Sequence, residues 1–538
     1  MKPKLFLAAS VIIVSSVKGA PKEDQVENLP GWQGDLPSQW YSGYVDISAT
    51  MGEGMMSHYI FIESEGDPAT DPVILWSNGG PGASSLFGLM TEMGPLQLNE
   101  DSYDSTYDET GVPSLFYNEQ TWTRIGSVLM FDWPPPVGFS YCNDDPAGDG
   151  NSCGDWDDFR MQNASYASLR AWFDSKFPEY KKNKLYLTGE SYAGVYIPKL
   201  AQAVLAGNEG NSDPLNLEGF AVGDACAGLD VLCGQAGGPY WSVMFFYGHG
   251  QFSNKLYDAI IDTCTVAALK SGVGMSDKCN ALISQMWIEI GGFYDYNLYD
   301  DCIYQDDIRR RRRQLTTSTT TPIAVPSLAH LSSAANPAIG AAVNDYICGG
   351  GPAQEDWASQ PSVLESLNIP DNAVFFSGDN GVGMNYTLTE KNLMPFYIDI
   401  ALNHPEIRSL VYNGDTDPGI NSFVSQNWTA ALGLDEIESW RPWTIDGCQR
   451  MGGYVTRYDG DFDFLTIRGS GHMVPTYKSE AAKEFMSKWI ANDQYFTYNS
   501  SCAPSASSSP SHVATRVNAI RKEITKLKEE EARLLLDV

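Results

Sequence analysis

A chain of 538 residues, 43% of them apolar, is long enough to bury a large core, and 35 Lys plus Arg against 67 Asp plus Glu leave a formal charge of −32. Such a surface repels nucleic acid and anionic membrane, so neither is expected as a partner. It suits an acidic compartment, where part of the charge is neutralised.

The chain opens with Lys2 and Lys4, an apolar run from Leu5 to Val14, and Val17 and Gly19 before Pro21. This reads as a secretory signal over residues 1–19, cut near Gly19 because Pro21 disfavours cleavage after Ala20. No later stretch holds 18 uncharged apolar residues, so no membrane span is expected. Sequons at Asn163, Asn385, Asn427 and Asn499 fit an exported glycoprotein. The ten cysteines are an even set, which in an exported chain implies disulfides. No Cys-x-x-Cys has a matching second pair, so no zinc site, and no other metal or cofactor, is expected.

From Tyr41 to about Gly223, apolar strands such as Val73–Trp76 and Val128–Phe131 alternate with helical segments, the pattern of a mainly parallel sheet. Within this part (20–223), the run Leu185–Thr188 leads into Gly189-Glu190-Ser191-Tyr192-Ala193-Gly194 and then the helix-compatible Val195–Ala201. A serine between small residues at a strand-to-helix turn is either a nucleophile elbow or an ordinary turn. Small flanks have a steric reason there, because strand and helix pass close together.

Residues 224–377 differ: they hold six of the ten cysteines, the apolar patch Tyr240 to Tyr247 and a low-complexity segment at 309–342. Their position suggests a cap inserted over the site. The five arginines Arg309 to Arg313, followed by a Thr/Ser tract, form either a solvated loop or a protease-processing site. The core resumes over 378–502. There the strand Arg408–Tyr412 runs into Asn413-Gly414-Asp415-Thr416-Asp417-Pro418, and Phe464–Ile467 runs into Gly471-His472-Met473. Serine, acid and histidine thus follow in the chain order of an α/β-hydrolase, and His472 is one of only six histidines. Residues 503–538 add a Ser/Pro linker and an amphipathic helix. Its seam of Val513, Val517, Ile520, Ile524, Leu527, Leu534 and Val538, broken at Glu531, fits self-association into a homo-oligomer or docking on its own domain.

Four segments together resemble the serine carboxypeptidase family: Trp76–Ser85 with its Asn78-Gly79-Gly80-Pro81-Gly82 core, Pro135–Tyr141, Gly189–Gly194 and Gly471–Pro475. The resemblance spans about Leu29 to Trp489 and implies an α/β-hydrolase fold with a mainly parallel central sheet and a cap insertion. It assigns Ser191 as nucleophile, His472 as base and, from the pattern Gly-Asp-x-Asp, Asp417 rather than Asp415 as the orienting acid. It places the oxyanion donors at the amides of Gly80 and Tyr192. It assigns recognition of the substrate α-carboxylate to Asn78, the Gly79 amide, Glu92 and Glu190. The family's cysteine at the position of Ala83 is missing, as is a partner between Cys348 and Cys448; Cys142–Cys153 and Cys302–Cys348 are the pairs expected.

A carboxyl can donate to a substrate carboxylate only when protonated, so a clamp built on glutamates binds best in acid. The function expected is therefore a serine-type carboxypeptidase that releases C-terminal residues from peptides and proteins through an acyl-enzyme at acidic pH, in a lysosomal or secreted setting. Working in acid requires His472 to stay neutral there, against its ordinary pKa near 6.5. An acyltransferase or esterase with the same triad, and a non-catalytic protective subunit, are the competing readings.

Overall fold

The computed structural model describes residues 19–502, apart from 53, 234–237, 301 and 303–345. Almost all of the signal segment, the arginine run, the low-complexity segment and the C-terminal linker and helix lie outside the described residues.

Eleven strands form the main sheet: β1 (Gln25–Val26), β2 (Trp40–Asp46), β3 (Met56–Ile62), β4 (Val73–Ser77), β5 (Ser127–Phe131), β6 (Leu185–Glu190), β7 (Leu217–Gly223), β8 (Arg408–Gly414), β9 (Glu436–Thr444), β10 (Met451–Tyr458) and β11 (Phe462–Ile467). Their order is β1-β2-β3-β5-β4-β6-β7-β8-β11-β10-β9. The stretch from β5 to β11 is parallel throughout, and antiparallel strands flank it on both edges. Parallel strands are covered on both faces, so they read as unbroken apolar runs. In β4, Val73 and Leu75 enter one core while Ile74 and Trp76 enter the other, following the two-residue period of a strand.

One face carries α1 (Asp158–Ala171) and α2 (Ala193–Asn208), which contribute Met161, Leu169, Val195, Ile197 and Leu200. The other carries the helix Ser479–Ala491 through Phe485, Met486 and Trp489. Between β7 and β8, the helices Tyr240–Gly248, Asn254–Thr263 and Asp277–Ile290 gather a small core of their own around Phe245, Ile260 and Met286. The later part of the same insertion, Gly350 to Ile369, packs instead against the main core through Trp357, Val363 and Leu367. This is an α/β-hydrolase fold with an inserted cap.

All ten cysteines pair, as Cys142–Cys153, Cys226–Cys233, Cys264–Cys279, Cys302–Cys348 and Cys448–Cys502. Both pairs expected from the resemblance form. Next to Ala83, backbone hydrogen bonds tie the loop after β4 to the chain near Gly378: the Gly378 amide donates to the Gly82 carbonyl (2.7 Å) and the Gly381 amide to that of Pro81 (2.9 Å). No helix among the described residues is long and apolar enough to cross a membrane. The four sequon asparagines are all exposed.

Candidate active site

The loops that leave β4, β6, β7, β8 and β11 converge at the carboxyl edge of the sheet, where open α/β sheets bind ligands. Ser191 sits between β6 and α2 with φ +64°, a left-handed conformation that costs a non-glycine residue roughly 1–3 kcal/mol unless its surroundings hold it. They do. Its amide donates to the Gly223 carbonyl (2.9 Å), and its carbonyl accepts from Gly194 (2.9 Å) and Cys226 (3.0 Å). The flanks are small for want of space: a Cβ on Gly189 would meet the Ser77 carbonyl oxygen at 2.6 Å and the Ala193 methyl at 2.8 Å, and one on Gly194 would collide with the Cys226 backbone.

His472 follows β11, with Nδ1 2.7 Å from Oδ2 of the fully buried Asp417. Oδ1 of Asp417 accepts from the Gly419 (2.8 Å) and Ile420 (3.2 Å) amides, which fixes the carboxylate plane. Donation from Nδ1 leaves Nε2 as the acceptor nitrogen, and among the described residues Nε2 is buried with no hydrogen-bond partner. Ser191 and His472 line the same cavity, of about 250 Å³, together with Asn78, Gly79, Gly80 and Glu190. Asp415 is turned elsewhere: its Oδ1 accepts from the Gly469 amide (2.6 Å) and ties the β8 loop to the β11 loop.

The cap covers the histidine. The Tyr296 ring meets the His472 ring edge-on at 4.9 Å, and the Tyr296 carbonyl accepts from the His472 amide (2.8 Å). Asn297 accepts from Thr416 Oγ1 (2.8 Å), next to the acid. Behind the acid lies Asp224, the residue after β7; one oxygen of Asp224, one of Asp417 and a His472 ring nitrogen lie within 4.8 Å of one another.

Gly80 has φ +104°, and neither its amide nor that of Tyr192 donates to an acceptor among the described residues. The end of this loop is anchored by Ser84, whose hydroxyl donates to Asp132 Oδ1 (2.5 Å); Oδ2 of Asp132 in turn faces Nδ1 of the buried His58 at 2.7 Å. The Pro135–Tyr141 segment wraps the same carboxylate, with the Phe139 amide donating to it (3.1 Å).

Asn78 Nδ2 donates to Glu190 Oε1 (3.0 Å) and Glu92 Oε1 (3.2 Å), while its Oδ1 accepts from Trp76 Nε1 (2.8 Å) and the Gly88 amide (3.0 Å). The side chain is thereby held in one orientation. Glu92 and Glu190 are 0% and 4% exposed, and both Oε2 atoms are buried without a donor. Burial pushes both carboxyls up, Glu92 to about 7 and Glu190 well above its ordinary range, where the neighbouring Glu92 charge adds to the effect. The two buried carboxyls accept from the same Asn78 Nδ2 and crowd their charges, so one keeps its proton, and a second proton taken up in acid gives the cluster an O–H to donate. Glu92 and Tyr192 stand behind the cavity wall and act on it through Asn78 and through the main chain.

A family model described as serine carboxypeptidase matches residues 30–492. The chain belongs to the serine carboxypeptidase family. The mouse lysosomal protective protein is 32% identical over 508 residues, covering 91% of this chain and 98% of the relative. Barley serine carboxypeptidase 1 is 29% identical over 507 residues, covering 88% and 94%. The crystal structure of Kex1(delta)p, a prohormone-processing carboxypeptidase from Saccharomyces cerevisiae, superposes with a TM-score of 0.61 at 20% identity over 88% of this chain and 97% of that one, which supports the fold.

In this serine carboxypeptidase family member, the residues singled out from sequence come together in one place. Those that sequence reading missed are Asp224, Tyr296 and Asn297. A signal for Asp224 existed, because it directly follows an apolar strand of the parallel sheet, whose carboxyl edge holds the site. None existed for Tyr296, one of 28 tyrosines in the chain.

Proposed function

We propose that the protein is a serine carboxypeptidase that removes C-terminal residues from peptides and proteins in acid. The observation that carries this reading is the buried carboxyl cluster of Asn78, Glu92 and Glu190 beside Ser191. An esterase has no need of a costly pair of buried acids, one lining its cavity (Glu190) and one behind the wall (Glu92), whereas an exopeptidase must recognise a free α-carboxylate. Protonated, Glu190 donates a hydrogen bond to that carboxylate, with Glu92 supporting it through Asn78; ionised, the pair repels it.

The chemistry follows in two halves. His472 Nε2 takes the Ser191 Oγ proton as Oγ attacks the scissile carbonyl carbon, and the developing oxyanion meets the Gly80 and Tyr192 amides. Nε2 then returns the proton to the leaving amine, and the C-terminal amino acid departs, leaving an ester on Ser191. Water attacks that ester with His472 again as base. Asp417 holds the tautomer and stabilises the imidazolium in both halves.

The secretory pathway is the setting this reading requires, given five disulfides and exposed sequons; the lysosome and the extracellular space are both compatible with it. A homo-oligomer through the segment 503–538, where the sequence pattern predicts an amphipathic helix, belongs to the same proposal. The test compares an N-blocked dipeptide with an N-blocked ester at pH 5, with Ser191→Ala as control. Hydrolysis of the dipeptide that Ser191→Ala lowers about 10⁴-fold or more is the expected result. Turnover of the ester alone would favour an esterase or acyltransferase, and failure of a fluorophosphonate to label Ser191 would favour a non-catalytic subunit.

A further inference from the structure

Asp224 has no part in the scheme above, yet it lies against the acid of the triad. Its side chain is fully buried, its backbone adopts φ +40°, and its amide donates to the Tyr412 carbonyl (2.8 Å). The carboxyl accepts from the Gly414 amide (3.0 and 3.1 Å to its two oxygens) and from Asn413 Nδ2 (3.1 Å), both at the end of β8, just before Asp417. One of its oxygens also lies within 4.8 Å of an Asp417 oxygen. The titratable groups around it are Asp417, His472, Glu190 at the end of β6 and Tyr412 on β8, with Glu92 beyond them. No lysine or arginine forms an ion pair with it among the described residues.

Two carboxyls so placed, away from water, hold one proton between them. The charge belongs on Asp417, which faces His472 Nδ1 and two backbone amides. Asp224 faces one backbone amide, one neutral side-chain amide and the Asp417 charge. Burial, and after it that charge, push the Asp224 carboxyl well above its ordinary range.

We infer that Asp224 is a positioning residue which, kept neutral, donates its carboxyl proton to Asp417 and so weakens the hold of Asp417 on a protonated His472. The inference rests on the reading of Ser191, His472 and Asp417 as a triad. It answers a difficulty specific to work in acid, where the base must stay neutral. A lone carboxylate at 2.7 Å stabilises the imidazolium and raises the pH at which the base is lost. A carboxylate already shared with a second acid stabilises it less, so His472 remains a base at lower pH. The proton stays on Asp224 throughout, and no net transfer is involved.

The test follows the acid limb of kcat/KM with an ester substrate, which removes the carboxyl clamp from the comparison. Asp224→Asn keeps a neutral donor towards Asp417 at every pH, and its acid limb should coincide with that of the wild type. Asp224→Ala removes the donor, and its limb should move up by about one pH unit. A merely structural role would lower the rate in both variants without moving either limb, and that result overturns the inference. An Asp224→Asn limb that moves down also overturns it, because that follows only if Asp224 is ionised in the native protein.

Should Asp224→Ala fail to fold, the infrared difference between the full-length wild type and Asp224→Asn decides. A protonated-carboxyl stretch assignable to Asp224 should be present at pH 5 and persist at pH 7, and its absence at pH 5 overturns the inference. Fluorophosphonate labelling of wild-type Ser191 separates the two readings. Without labelling the triad assignment itself fails, while the infrared band still reports on Asp224.

Discussion

Gly79 lies so close to Tyr192 that a Cβ on the glycine would crowd the tyrosine amide and sit 2.8 Å from both the Ala193 nitrogen and the Glu190 carbonyl oxygen. All of these atoms are backbone and cannot swing aside. The loop after β4 therefore rests directly on the serine elbow, and this contact sets the spacing between the Gly80 and Tyr192 amides. Gly79→Ala should spread the two donors and lower kcat for ester and peptide alike by about 10²–10³, the cost of losing one oxyanion donor. Steady-state kinetics on both substrates checks it; a loss confined to KM would show that the contact does not serve the oxyanion.

Glu190→Gln tests the clamp through pH. A carboxyl whose pKa is raised is protonated, and donates, below that value; donation is lost as pH rises through it. Wild-type peptide kcat/KM should therefore fall as pH rises through the raised values of the pair, about 7 for Glu92. The amide of the variant donates at any pH, so its peptide profile should be flatter on that side, with the ester profile less changed. Peptide profiles that superpose would remove Glu190 from carboxylate recognition.

Much of this was legible in sequence for a physical reason. Strands of a parallel sheet are buried on both faces, so Leu185–Leu187, Val73–Trp76 and Phe464–Ile467 stand out as apolar runs, and the turns at their ends carry the chemistry. Small residues around Ser191 mark close backbone approaches, which the Gly189 and Gly194 contacts bear out. Asp224 carried one mark, its place directly after β7, but a single acid among 67 has no periodicity, and its meaning comes from Asp417, far along the chain. Composition marked the insertion at 224–377 but was silent on how it divides. Its first helices form a separate core, while Trp357 and Leu367 return to the main one, a division made by packing and not by residue type.

Asp417 and Asp415 differ in partner, and their variants should differ in kind. Asp417→Asn places an amide opposite His472 Nδ1, favours the wrong tautomer, and should lower kcat about 10⁴-fold with little change in KM. Asp415→Asn leaves the histidine alone and weakens the bond from the Gly469 amide, a loss of about 1 kcal/mol in stability. Kinetics and thermal melts on the two variants separate these effects, and equal losses of kcat would reopen the choice of acid.

Stability should itself be higher in acid. Glu92, Glu190 and Asp224 are buried carboxyls held above their ordinary pKa, mainly by desolvation. The folded state binds protons that the unfolded chain has already released, so stability falls as pH rises wherever the native protein holds more of them. For a carboxyl raised from its ordinary value, the contribution is complete below that value and disappears as pH climbs through the folded one. For Glu92 that window runs from 4.5 to about 7, a difference of roughly 3 kcal/mol for one such group. The surplus of acidic over basic residues acts in the same direction, because its self-repulsion grows as the carboxylates ionise. The melting temperature should therefore drop between pH 5 and pH 8, and Glu190→Gln, which replaces one buried ionisation with a permanently neutral amide, should show a smaller drop. Scanning calorimetry of the two proteins across that range decides the matter: equal drops would mean that the clamp carboxyls are not protonated in the folded state, and their role as donors would fall with it.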